Sequence, residues 1–382
     1  MATRMGALSV AAALLASPAL AAGQAAAPEA PPVAGWTPVI AARDSGARME
    51  RLADGVYAII HADATDDWPH GNTGVVVGDR GVLVVDATYF PSRAAADIAL
   101  IRRVTRLPVR WLVNTHWHGD HTHGNGVYRD SFPDLQILGA SDNARYIAFN
   151  QRRYPRFAAV SPVKRRQLTV LQDALASGHD SAGGTLTAEA RRATQAGVRQ
   201  HEEEYRQLAL VREAPPTVLF DGDTTLAVGR HRVQLRNRGR ANSPADVTVY
   251  LPSERVLFTG DVEVYPVPYA MQSYPGPWVR VLRDMERLPV RAVVPGHGPV
   301  LPDHAYGRRE RLLFETVLRR VDSMGRAGLT VDSVKRAIDI GDLRAAWLTG
   351  PAADPGSAAL WDYSIRNALV ERSWGCVIGY LC

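Results

Sequence analysis

The segment Thr115-His116-Trp117-His118-Gly119-Asp120-His121 sets three imidazoles and one carboxylate within six residues, directly after the apolar run Val109 to Val113. Imidazole and carboxylate donors suit Zn2+, and four of them at this density read as a metal site rather than as solvated loop residues. β-Branched and aromatic side chains concentrate in Val109 to Val113, with Asn, Gly and Asp soon after, so the ligands begin where a short buried strand ends. His116 and His118, two residues apart, face one side of an extended segment, whereas Asp120 and His121, past the turn at Gly119, face another point. One motif can therefore hold two ions. Val256 to Phe258 leads into Thr259-Gly260-Asp261, and Ala292 to Val294 leads into Pro295-Gly296-His297-Gly298. Each run places a further potential ligand, Asp261 or His297, beside a glycine where the backbone can turn sharply and approach an ion.

With these three elements in this order, the chain resembles the metallo-β-lactamase superfamily over roughly Ala53 to His304. The resemblance implies an α/β fold, an αββα sandwich with the metal ligands on loops at one edge of two packed sheets. It also implies that His116, His118 and a third histidine serve the first ion, that Asp120, His121 and His297 serve the second, and that Asp261 lies between them. The third histidine is where this sequence departs: family members carry a segment like His-Thr-Pro-Gly-Asp, and the matching stretch is Asn242-Ser243-Pro244-Ala245-Asp246. Asn242 is then a weak or substituted ligand, because an amide oxygen is a harder and weaker donor to Zn2+ than imidazole. The expected cofactor is accordingly one or two Zn2+ ions. His123 and His231 are spare imidazoles that can act as substitute ligands or stand outside the site. Arg240 either holds an anionic substrate group or is a solvated arginine of the basic run Arg236 to Arg240. His70, with Asn72 and Trp68, falls in a loop that borders the active-site rim in the superfamily, and either contacts substrate or belongs to an ordinary surface loop.

Zn2+ in such a donor set lowers the pKa of coordinated water to about 7. The function implied is a metal-dependent hydrolase in which zinc-bound hydroxide attacks a carbonyl compound: an ester, lactone, thioester or cyclic amide, β-lactams among them. Asp120 would ligate the second ion and orient the nucleophile's proton. The alternative is a catalytically impaired metal- or ligand-binding protein of the same fold, with Asn242 marking the loss. A non-haem iron oxygenase of this superfamily needs the absent histidine. An electron-transfer di-iron relative has glutamate at the His118 position and an attached flavin domain, neither of which occurs here.

The elements that must position these groups are partly readable. Thr73 to Gly78 and Val82 to Asp86, separated by Asp79-Arg80-Gly81, predict a hairpin. Ala94 to Thr105 predicts a helix, with Ile98, Ile101 and Val104 on one face. Composition shifts to Arg, Gln, Glu and Ala over about 148–214, which reads as a helical insertion with helices at Lys164 to Ala176 and Thr187 to Val211 and a break at Ser177 to Gly184. Such a hairpin caps the metal cleft, pairs with another subunit or is a solvated excursion; Glu202 to Glu204 read as its exposed face. Beyond His304 the chain reads as helical, clearest at Arg308 to Met324, with Trp347, Trp361, Tyr363 and Trp374 anchoring this tail.

The expected layout is a signal peptide at 1–21, a flexible leader and entry segment at 22–52, the sandwich with its insertion at 53–304, and a helical extension at 305–382. Arg4, the apolar stretch Gly6 to Ala16 and the Ala19-Leu20-Ala21 cleavage pattern point to export, to a periplasm or beyond. That stretch is shorter than the roughly 20 residues needed to cross a bilayer, so no stable membrane insertion is expected. A net charge of +5 over 382 residues, without a dense basic block, makes nucleic acid a weak partner and favours a small-molecule substrate; oligomeric state is not legible. The two cysteines, Cys376 and Cys382, stand outside the ligand pattern, and a small disulfide loop, a reduced pair or an intermolecular bridge all remain open.

Overall fold

The computed structural model describes residues 37–41, 46–61, 70–160 and 162–377. The signal-like stretch 1–21, Trp68 and Cys382 lie outside the described residues. Cys376 is disulfide-bonded, and the sequence holds one other cysteine.

Among the described residues, thirteen strands form two sheets. The larger runs in sequence order through β1 (Thr37–Ala41), β2 (Arg48–Ala53), β3 (Val56–Ile60), β4 (Thr73–Val77), β5 (Val82–Val85), β6 (Val109–Val113), β7 (Gln136–Ala140) and β8 (Val218–Phe220). The smaller comprises β9 (Thr224–Val228), β10 (His231–Asn237), β11 (Val247–Leu251), β12 (Val256–Val264) and β13 (Ala292–His297), in the order β13-β12-β11-β10-β9. Strands β4 and β5 form the expected antiparallel hairpin, and β5 through β8 then pair in parallel. Parallel pairing requires crossovers, supplied between β5 and β6 by α1 (Pro91–Val104) and between β6 and β7 by α2 (Gly119–Thr122) and α3 (Asn125–Ser131).

Side-chain alternation along these strands builds the layers. Val76, Leu83, Val85, Val113 and Leu138 meet Val233, Val249, Val256, Phe258 and Val294 in a core between the sheets. Their strand neighbours Val75, Val84, Leu112 and Ile137 point the other way, onto Ile98 and Ile101 of α1 and Tyr128 of α3. On the smaller sheet, Tyr250, Leu257 and Val293 face outward onto α7 (Pro275–Met285) and α8 (Ala305–Arg326) through Trp278, Leu282, Phe314 and Val317. A period of two with both faces apolar requires cover on both sides, and that gives the αββα order. Truncating a residue buried between the sheets, such as Phe258, should cost about 3–5 kcal/mol.

Between β7 and β8 run α4 (Ser141–Val160), α5 (Pro162–Ser177) and α6 (Ala188–Leu208). The structure falls into two compact units, one containing residues 162–203 and the other the two sheets with Glu204 onward. Glu204 is fully buried and accepts a hydrogen bond from the Tyr89 hydroxyl at 3.3 Å, so it is not part of the exposed face expected of Glu202 to Glu204. Contacts made through the fold, invisible to helical periodicity, override the charge pattern there. The tail is helical beyond His304. Trp347 and Trp361 are buried in the outer core and Trp374 packs against it, but Tyr363 is 53% exposed and anchors nothing. No helix among the described residues is long and apolar enough to cross a membrane.

Candidate metal centre

All six motif residues converge at one end of the two sheets. His116 and His118 follow β6, Asp120 and His121 lie on α2, Asp261 is on β12 and His297 ends β13. Strand pairing continues past Phe258 and Val294, where the sequence suggested strand ends, with register shifts that pair Gly260 with Pro295 and Val264 with His297. Such irregularities aim a side chain out of the ladder. Gly260 adopts φ +53, a left-handed conformation that glycine tolerates. Gly296 permits a closer approach still, because a Cβ there would stand 2.1 Å from Asp261 Oδ1.

Two donor clusters result, sharing one carboxylate. His116, His118 and Asp261 form the first, and Asp120, His121, Asp261 and His297 the second. In the first, His116 Nε2 is 2.9 Å from His118 Nδ1 and 3.3 Å from Asp261 Oδ2, and His118 Nδ1 is 3.5 Å from that oxygen. In the second, His121 Nε2 is 3.3 Å from His297 Nε2, 3.0 Å from Asp261 Oδ1 and 3.7 Å from Asp120 Oδ2. His297 Nε2 is 3.1 Å from Asp120 Oδ2 and 3.5 Å from Asp261 Oδ1. Ligands about 2.0–2.1 Å from a tetrahedral Zn2+ stand about 3.3 Å from one another, so both clusters have the spacing that ion requires. The Asp261 Oδ1 atom is buried without a properly aimed hydrogen-bond donor despite these close nitrogens. Lone pairs converging in this way fit a cation better than they fit each other.

The electrostatics point the same way. Burial pushes the His116 imidazole down to about 4, leaving it neutral and able to ligate. Burial would raise Asp261, but His121, His116 and His297 outweigh it and hold the carboxyl well below its ordinary range. Burial also works against charge on His121, yet Asp261, Asp120 and Asp86 together raise it well above an ordinary histidine. Three carboxylates thus demand positive charge at this point, which a divalent ion supplies.

Asp86, which the sequence reading did not single out, organises both clusters. Its Oδ1 accepts from the Thr115 backbone N–H at 2.8 Å, and its Oδ2 accepts from the Thr115 hydroxyl at 2.7 Å and faces His121 Nδ1 at 2.9 Å. Thr115 Oγ1 in turn lies 2.9 Å from His116 Nδ1. A carboxylate on the far nitrogen of a ligating histidine fixes its tautomer and orientation. Asp86 holds φ +62, a left-handed conformation costing a non-glycine residue on the order of 1–3 kcal/mol. Asn72 is a second brace: its amide donates to the Pro295 and Gly298 carbonyls at 2.9 Å, and its N–H donates to Gly296 O at 2.7 Å, pinning the turn that carries His297.

The remaining candidate residues fall at different distances from this centre. Asn242 is buried; its Nδ2 donates to Tyr269 O at 2.5 Å, and its Oδ1 has no hydrogen-bond partner. His70 is buried rather than at a surface rim, with its ring 4.9 Å from that of Phe90 and 6.0 Å from that of Tyr89. Arg240 is exposed, its guanidinium 5.0 Å above the Tyr274 ring. Neither spare imidazole joins a donor cluster. His231 Nδ1 pairs with Glu254 at 2.6 Å, whereas His123 is stacked on Tyr89 with ring centroids 5.2 Å apart. Around the clusters stand Tyr269, 6.2 Å from the His118 ring, and Gln272, whose Oε1 is 3.3 Å from His118 Nε2. The charge of Asp120 is felt by the phenols of Tyr89, Tyr154 and Tyr269, each raised chiefly by burial.

A sequence model described as the metallo-beta-lactamase superfamily matches residues 66–297. Among solved structures, a metallo-beta-lactamase from Pontibacter korlensis aligns at 16% identity over 70% of this chain and 99% of its own, with a TM-score of 0.49. A stereoselective inverting sec-alkylsulfatase from Pseudomonas sp. aligns at 14% identity over 88% of this chain and 50% of its own, with a TM-score of 0.57.

Proposed function

Since the chain belongs to the metallo-beta-lactamase superfamily, whose model spans 66–297, we propose that it is a zinc-dependent hydrolase of small carbonyl compounds. The substrates are esters, lactones, thioesters or cyclic amides, with β-lactams among the last. The observation that carries this reading is the sharing of Asp261 between two donor clusters, with Oδ2 toward His116 and His118 and Oδ1 toward His121 and His297. Bound at these donors, Zn2+ supplies Lewis acidity and lowers the pKa of water toward about 7.

The protein's own groups then divide the remaining work. Asp261 joins the two donor sets through its two oxygens, and Asp86 keeps the Nδ1 atom of His121 engaged so that Nε2 faces the centre. Asp120 Oδ2 sits 3.1 Å from His297 Nε2, with its side chain 15% exposed, so it is the carboxylate of the second cluster most open to an arriving molecule. His121 and His297 hold its pKa low against the opposing effect of burial, leaving it ionised, able to accept a hydrogen bond and orient its donor. The half-buried phenols of Tyr154 and Tyr269 lie close enough to feel the charge of Asp120.

The test is hydrolysis of a chromogenic β-lactam, a lactone, a thioester, simple esters and a secondary alkyl sulfate, before and after chelation and zinc re-addition. Turnover of a carbonyl substrate that follows zinc supports the reading. Turnover of the sulfate alone, or of nothing by a zinc-loaded chain, refutes it. We also propose export to a periplasm or the medium after cleavage near Ala21, on the residues of the first 21 positions. N-terminal sequencing of the protein from a secreting host tests this, and a mature chain beginning at Met1 excludes it.

A further inference from the structure

His116 and His121 are each held at the ring nitrogen that faces away from the centre. Thr115 Oγ1 lies 2.9 Å from His116 Nδ1, and Asp86 Oδ2 lies 2.9 Å from His121 Nδ1. His118 is turned the other way round. Its Nδ1 faces the first cluster, 2.9 Å from His116 Nε2 and 3.5 Å from Asp261 Oδ2, so Nε2 is the atom that points outward. That atom meets Oε1 of Gln272 at 3.3 Å. With Nδ1 presented to an ion, Nε2 carries the proton, and an amide oxygen, which only accepts, is a fitting partner for it.

Gln272 belongs to neither sheet. It lies in the connection 265–274 between β12 and α7, whose ends are tied down beside the site: the Tyr265 N–H donates to His297 O at 3.1 Å and the Tyr274 N–H to Ala241 O at 2.7 Å. Between these ends Pro266 and Pro268 have no N–H to offer a ladder, and bonds come instead from the helical tail. Trp347 Nε1, at the end of the helix Gly341–Trp347, donates to Pro266 O at 2.8 Å. The Ser364 hydroxyl, in the π-helix Trp361–Leu369, donates to Pro268 O at 2.6 Å and accepts from the Ala270 N–H at 2.7 Å. Arg372, in the helix Val370–Val377, donates through Nε to Ser273 O at 2.6 Å. Trp347 and Ser364 are buried, so water does not compete for their bonds and each is stronger for it.

We infer that Gln272 is a positioning residue of the metal centre: it accepts the Nε2–H of His118 so that Nδ1 faces the first cluster, and the helical tail acts on the metal through it. The inference rests on the metal-centre reading and extends it to the part of the chain beyond the sandwich. An outer acceptor fixes the ring of a ligating histidine and raises its basicity. Gln272 is itself exposed, so losing its amide costs the orientation of the His118 ring rather than the fold. The tail's bonds fix the backbone on either side of Gln272, and with it the place from which the amide reaches His118.

Competition between the full chain and a chromogenic zinc chelator measures zinc affinity without any substrate, and His297→Ala marks which ion belongs to the second cluster. Gln272→Leu, which keeps the bulk and loses the acceptor, should loosen the other ion about tenfold. Gln272→Glu, which keeps an acceptor, should hold that ion at least as tightly as the parent does. Ser364→Ala should loosen the same ion, and the double variant with Gln272→Leu should lose no more than Gln272→Leu alone. Far-UV circular dichroism establishes that each variant is folded; should Ser364→Ala not fold, Trp347→Phe, which gives up the bond to Pro266 O, takes its place. An ion at the first cluster that binds the Leu and Glu variants alike, or no ion there at all, overturns the role of Gln272. Additive losses in the double variant overturn the route from the tail. Zinc that responds to Gln272 upholds the inference even where no carbonyl substrate is hydrolysed, and turnover with zinc indifferent to Gln272 overturns it while leaving the proposed reaction in place.

Discussion

Asp86→Asn removes one charge and changes almost no volume, yet it should disable the second metal position. Three donors converge on this carboxylate: the Thr115 N–H at 2.8 Å, the Thr115 hydroxyl at 2.7 Å and His121 Nδ1 at 2.9 Å. An asparagine has one accepting oxygen for all of them. With that oxygen toward the Thr115 N–H, the amide NH2 faces His121 Nδ1, which must then give up its proton. The proton moves to Nε2, the atom 3.0 Å from Asp261 Oδ1 that should ligate. With the amide flipped, the Thr115 N–H is buried without an acceptor, at a cost of about 1–3 kcal/mol. Loss of an outer partner of a metal-binding histidine typically weakens metal affinity about 10–100-fold, or about 1.4–2.7 kcal/mol. Chelator competition on the folded variant should therefore show the ion of the second cluster loosened by that factor, with a smaller effect at the first cluster, which Asp86 reaches only through Thr115. An affinity at the second cluster unchanged to within about twofold would refute the tautomer argument.

Other expected outcomes follow from particular contacts. Gly296→Ala places a Cβ 2.1 Å from Asp261 Oδ1, so zinc binding should fall at least about tenfold at both positions while circular dichroism stays native; unchanged stoichiometry would contradict the shared-carboxylate geometry. Burial, aided by the charge of Glu286, raises the Glu263 carboxyl from 4.5 to about 8. The folded state then keeps a proton that the unfolded chain releases above 4.5, so stability is lost as pH rises through that window and levels off above about 8. Glu263→Gln should match the parent in denaturant at pH 5 and exceed it by up to several kcal/mol at pH 9, and equal midpoints at both pH values would exclude this. Saturating zinc at 100 times its Kd should add about 2.7 kcal/mol of stability. Chelation should accordingly lower Tm by several degrees, and a Tm indifferent to chelator would argue against a resident ion.

The ligand set was legible because each member sits in a local pattern: a dense motif after a β-branched strand, or a carboxylate or imidazole beside glycine at the end of an apolar run. The hairpin of β4 and β5 and the helix α1 were legible through their periods of two and of three to four, although α1 begins at Pro91 rather than Ala94. Asp86 was not, because nothing in Val82 to Asp86 distinguishes it from any strand-ending aspartate; its partners lie 29 and 35 residues away, and its left-handed φ leaves no mark on composition. Asn72 is similar: its hydrogen bonds reach 223 and 226 residues along the chain. Helix α4 was hidden by the sequence Asp142-Asn143 near its start and Pro155 within it, residues that local propensity disfavours. Buried Glu204 and exposed Tyr363 show the same limit from opposite sides, since charge and aromaticity predict burial only on average.

Diffraction data collected at the zinc absorption edge, from crystals grown with saturating zinc, would locate the ions against the carboxylate on which the whole arrangement depends. Two anomalous peaks should flank Asp261, one beside His116 and His118 and the other among Asp120, His121 and His297. Density without a peak in ligating distance of Asp261 would contradict the metal centre and, with it, the chemistry built on it.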